Sequence, residues 1–233
     1  MRRLFEKNEP FFAFLGIVLY MMLNMLGTLL SQAANVGELP RAVLLFSAAL
    51  LLPLLLIRRG LKDRYGLCRP ERSFRPIWFI PLCVLPASNL FYGFSLPQAF
   101  SEILYAVILA VSVAVLEELL FRGFLYQSLK FKSVEAAAVI SSVVFGLLHL
   151  VRLLDGASVS FVLCQSALSV AVGYLLAALF EKSKSLLPCI ALHAAFNLCG
   201  AFASGASVLR LCILTAAQIL LSVFCTVYVR RMP

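Results

Sequence analysis

Residues 103–116, ILYAVILAVSVAVL, carry no charged side chain, and similar apolar runs recur along the whole chain. A helix needs roughly 20 such residues to cross a hydrocarbon core about 30 Å thick. Lipid offers no partner to a free backbone amide, so such a run must take the form that pairs its own amides, a helix. Composition agrees: 62% of residues are hydrophobic, 13% are charged, and the mean hydropathy is +0.98. Soluble domains run near ~45–50% apolar and ~25% charged. The expected fold class is therefore all-α, a polytopic integral membrane protein.

Eight spans are expected, at about 11–30, 42–57, 76–93, 102–129, 134–151, 159–180, 186–203 and 211–229. The first is long enough to span and is followed by more of the same, so it reads as a membrane helix and not as a signal peptide. No internal repeat and no separate soluble domain is visible. The chain divides into 1–101 (three helices and the basic loop 58–75), a core 102–203, and a last helix with its tail, 204–233. Eight spans put both termini on one side, and seventeen of the 20 basic residues fall there, with Arg41, Arg152 and Arg210 opposite. Basic residues gather at cytoplasmic ends, so both termini are expected in the cytoplasm. The same rule explains the formal charge of +9 without nucleic acid as a partner. Seven scattered cysteines with no CxxC pair point to neither structural zinc nor a disulfide framework.

Against this background stands Glu117-Glu118-Leu119-Leu120-Phe121-Arg122, near the end of the fourth run. A charge at the bilayer centre costs on the order of 3 kcal/mol or more, so these groups must be compensated inside the protein and mark function. Glu118 and Arg122 are four apart and can pair on one helix face. Glu117 points about 100° away and is left for another task. The chain has two histidines, both in apolar runs: His149, and His193 with Asn197 one turn beyond it. Counted at 1.5 Å per residue from the expected cytoplasmic ends, Glu117, His149 and Asn197 lie ~20–22 Å deep and His193 ~14 Å. Groups from three spans thus converge near one level, as one site would require. A carboxylate base with His149 as hydrogen-bonding partner, and N–H donors from His193 and Asn197, is the inventory that amide hydrolysis needs. No Ser or Cys stands in a nucleophile motif.

EELLFR (117–122), FGLLH (145–149) and HAAFN (193–197) match, in order, the patterns EExxxR, FxxxH and HxxxN. In this the chain resembles the CAAX protease and bacteriocin-processing family, the Rce1-like and Abi-type intramembrane endopeptidases, over roughly 102–203. The resemblance implies catalytic roles for Glu117, Glu118, Arg122, His149, His193 and Asn197. It implies that Glu117 and His149 activate water and that His193 and Asn197 bind the oxyanion. The short chain and small loops suit a bacterial cell-membrane member, with a peptide or a membrane-anchored protein as substrate, cleaved near the cytoplasmic leaflet.

Other readings compete. Glu117, His149 and His193 could hold zinc, but HExxH is absent and Asn197 and Arg122 suit oxyanion and scaffolding roles better, so no cofactor is expected. A proton-coupled transporter would also place Glu and His at this depth, although the two-half repeat is missing. A non-catalytic immunity or regulatory protein would keep the fold. Asn24, Asn89, Gln165 and Gln218 read as interhelical hydrogen bonders, Arg152 as snorkelling outward, Phe145 as packing, and Tyr65-Gly66-Leu67 as a turn in a solvated loop.

Overall fold

The computed structural model describes residues 8–72, 74–154 and 156–232. Arg2, Arg3 and Lys7, expected on the cytoplasmic side, lie outside them. All eight apolar stretches fold as helices. Six are long and apolar enough to cross a membrane: α1 (Glu9–Ala34), α2 (Leu39–Arg58), α4 (Phe100–Leu129), α5 (Val134–Leu153), α6 (Val159–Ser183) and α8 (Val208–Arg231). The other two, α3 (Pro76–Tyr92) and α7 (Leu186–Ala201), are shorter. In α3 the cause is local: Pro76, Pro81 and Pro86 each remove an amide donor, and the backbone winds mostly as 3-10 helix around a short α-helical piece, Val84–Ala87.

Serines start four of the helices. Ser133, Ser158, Ser185 and Ser207 accept from the amides of Ala136, Phe161, Leu187 and Arg210, satisfying donors that a helix start leaves free. At the centre stands α6, packed between α5 and α8. Small residues permit the approach to α5. A Cβ on Gly146 would come within 2.4 Å of Val170, and one on Gly173 within 3.2 Å of the Ser142 Cα. Ala137 and Ala138 are buried beside them.

Two faces are distinguishable. On one, Glu9 at the start of α1 pairs with Arg64, Arg64 accepts from Gln127 at the end of α4, and Lys182 reaches Met232 after α8. Both ends of the described chain and its basic loops lie there. On the other, Phe94 bridges to Ala203 and Arg210 donates to the Phe91 carbonyl.

The loop 59–75 is not simply solvated, contrary to expectation at Tyr65-Gly66-Leu67. Tyr65 is 1% exposed, stands edge-on to Phe124 and donates to Glu9. Gly66 (φ +72°) presses against Phe180, where a Cβ would come within 2.4 Å of the ring, and its carbonyl accepts from Leu186. An aromatic next to a glycine can dock where the glycine gives room, so this loop fastens the starts of α1 and α7 together.

Candidate active site

The acid pair ends a regular α-helical stretch, Phe100–Glu118, and the next eight residues, Leu119–Tyr126, wind as π-helix. Such wide turns in an α-helix often sit at functional sites. Here the turn carries Arg122 inward. Glu118 and Arg122 are both fully buried, with Nη1 donating to Oε1 at 2.7 Å. Arg122 Nη2 donates to the Gly173 carbonyl at 3.0 Å, and the guanidinium lies over the Phe145 ring at 4.8 Å. The expected pair therefore exists, and it ties α4 to α6 as well as to itself.

His193 stands between the two acids. Its Nδ1 is 2.7 Å from Glu118 Oε1 and its Nε2 faces Glu117 Oε2 at 3.4 Å. Glu118 already accepts from Arg122, so its bond to His193 needs Nδ1 as the donor. Nε2 and Glu117 are then two acceptors unless one of them carries a proton. A proton shared between them makes Glu117, Glu118, Arg122 and His193 electrically neutral as a set, whichever partner holds it. Neutrality is what a buried charge cluster requires.

The other oxygen of Glu117 accepts from the Tyr20 hydroxyl at 2.7 Å, across from α1. Among the described residues no hydrogen bond joins Glu117 directly to His149, although both line one cavity. His149 Nδ1 lies 3.0 Å from the Phe145 carbonyl, which only accepts, so Nδ1 carries the proton and Nε2 offers a lone pair. Ser169 Oγ is 3.3 Å from Nε2. Among the described residues Asn197 has no side-chain hydrogen-bond partner, and it lines the cavity together with His193. Phe145 is the packing hub expected of it: its ring meets Phe121, His149 and His193 with centroids 5.0, 5.2 and 5.7 Å away.

Glu117, His149, His193, Asn197 and Tyr20 share one cavity of about 1480 Å³. Glu118 and Arg122 lie beneath its lining. From these residues the cavity extends to the segments 36–38, 97–102, 151–158 and 203–208, all on the face opposite the chain ends. Polar groups assigned to helix bonding behave so: Asn24 accepts from Arg41, Asn89 donates to the Phe196 carbonyl, and Gln218 joins Ser88 and Asn89. Arg152 does not simply snorkel, since it donates to Gln165 and lies over Phe161 at the cavity wall. Tyr20 and Ser169 escaped the sequence reading, because an isolated Tyr or Ser in an apolar run carries no pattern.

Residues 99–199 match the family model described as type II CAAX prenyl endopeptidase Rce1-like. That stretch is an Rce1-like domain, as the three motifs implied, and the family is one of CAAX-type intramembrane proteases. No curated protein and no solved structure matches the chain.

Proposed function

We propose that the chain is an intramembrane endopeptidase that hydrolyses a peptide bond in a peptide or membrane-anchored protein. The observation that carries this reading is Glu117 facing His193 at 3.4 Å, with His193 held by Glu118 and Arg122 and both Glu117 and His193 open to a large cavity. A water in that cavity donates one hydrogen to Glu117 and the other to the Nε2 lone pair of His149, displacing the Ser169 hydroxyl from it. Its oxygen attacks the scissile carbonyl as Glu117 takes the proton. Asn197 and the Nε2–H of protonated His193 receive the developing oxyanion. The proton on Glu117 then passes to the leaving amine as the C–N bond breaks.

The mechanism is read as metal-free. Among the described residues no three His, Cys, Asp or Glu are grouped to hold a cation. His193 Nδ1 is committed to Glu118 and His149 Nδ1 to a carbonyl. Both bonds leave Nε2 toward the cavity and would suit a metal ligand equally, so the glutamate mechanism rests instead on Asn197 and Arg122, which suit oxyanion and scaffolding roles.

The distribution of basic residues favours cytoplasmic termini. On that orientation the cavity mouth faces outward, and a peptide enters from the outer side or from the bilayer. A bacteriocin-like or signalling peptide fits such access.

The test compares membranes holding wild type with membranes holding Glu117→Gln, by mass spectrometry of small peptides and membrane proteins. An uncleaved precursor accumulating only with the variant is the expected result. Identical profiles, with the variant folded and present at normal level, would show a non-catalytic immunity or regulatory protein instead.

A further inference from the structure

We propose that Tyr20 is a positioning residue of this site, so that α1, which lies outside the 99–199 domain, completes the catalytic machinery. The inference rests on the endopeptidase reading for its meaning, but its geometry stands alone. Glu117 has two carboxylate oxygens and two neighbours. Tyr20 donates to Oε1 at 2.7 Å, and His193 faces Oε2 at 3.4 Å. The terminal torsion of a glutamate is broad and nearly two-fold, so one neighbour alone does not fix the plane of the carboxylate. With the hydroxyl on Oε1, Oε2 is turned to His193, and the plane that must take a proton from water is set before substrate arrives.

The placement of α1 supports a designed contact. Ile17, one turn before Tyr20, is buried with Leu120, Phe121 and Phe145 in one cluster. Gly16 lets the helix come so close that an added Cβ would lie 2.8 Å from Leu120. Thus α1 is seated on the π-helical turn that follows the acid pair, and the tyrosine hydroxyl is delivered to the acid beside that turn. Tyr20 also lines the cavity itself. A tyrosine serving only to glue helices would not need to reach the acid that stands beside His193 in the cavity.

The experiment uses the full chain in native membranes with three variants: Tyr20→Phe, Ile17→Ala and Glu117→Gln. The first readout is the infrared carboxylate band of Glu117, obtained as the difference between each protein and its Glu117→Gln counterpart. The second is the rate at which the precursor that accumulates with Glu117→Gln is processed. Tyr20→Phe is expected to shift the band and slow processing about 10- to 100-fold, the scale of one lost hydrogen bond to a charged group, with thermal stability nearly unchanged. Ile17→Ala is expected to lower stability and leave the band in place. An unmoved band with normal processing in Tyr20→Phe would overturn the proposal. If Glu117→Gln accumulates no precursor, the endopeptidase reading fails, and the band alone then decides whether Tyr20 holds Glu117.

Discussion

At the scale of single residues, the buried pair Glu118 and Arg122 is where stability and chemistry meet. Both side chains are fully buried, and Glu118 also accepts a hydrogen bond from His193 Nδ1. Removing one partner of such a pair leaves the other charge stranded, at a cost of about 3–5 kcal/mol. Glu118→Ala is therefore expected to lower the melting temperature sharply and reduce the folded yield in detergent. Glu117→Gln keeps that foundation and should melt near wild type while losing activity, and comparing the two melting curves checks the division of labour. The first of these contacts was legible in the sequence because it is local, four residues along one helix. That His193 belongs with them was legible from depth alone. Its pairing with Glu117 rather than His149 was not, because spacing gives the level of a group in the membrane but not its rotation about the helix axis.

At the scale of elements, the site depends on how closely α5 approaches α6. The carbonyl that holds Arg122 belongs to Gly173 of α6, and His149 of α5 meets Ser169 of α6. Gly146 makes the contact possible, since a Cβ there would lie 2.8 Å from the Ser166 carbonyl oxygen as well as against Val170. A backbone atom cannot yield as a side-chain tip can. Gly146→Ala is expected to cost about 1–3 kcal/mol in stability and to reduce processing of the precursor even in the folded fraction, because His149 is carried away. The register of α6 against α8 has its own check. Cys164 and Cys212 place their sulfurs 3.9 Å apart, so copper-catalysed air oxidation should join the two helices. That link is read as slower migration of the fragment pair after a cleavage engineered between them. Helix starts at Ser133, Ser158, Ser185 and Ser207 could be anticipated from residue type. The irregular winding of α3 likewise follows from its prolines, whereas the π-helical turn after Glu118 could not be anticipated, because nothing in its residue types calls for it.

At the scale of the whole molecule, the decisive fact is that the cavity and the basic loops lie on opposite faces. The segments 36–38 and 203–208 line the mouth, whereas Lys130 and Lys184 meet Glu181 at the other end. On the proposed orientation, with these basic loops in the cytoplasm, the positive-inside rule would turn the mouth outward. Ala206 and Phe131 are both exposed and sit on the two different faces. In a cysteine-free background, Ala206→Cys is expected to react with a membrane-impermeant maleimide in intact cells, and Phe131→Cys only after permeabilisation. The reverse pattern would place the mouth in the cytoplasm and leave every contact of the site as described. The two outcomes select different substrates. An outward mouth suits a peptide that has already been exported or is still anchored by its leader. An inward mouth suits a cytoplasmic tail tethered at the membrane surface. On the proposed reading the scissile bond must in both cases reach Glu117 inside the cavity, so an extended, unpaired stretch of backbone next to a membrane anchor is the substrate it would accept.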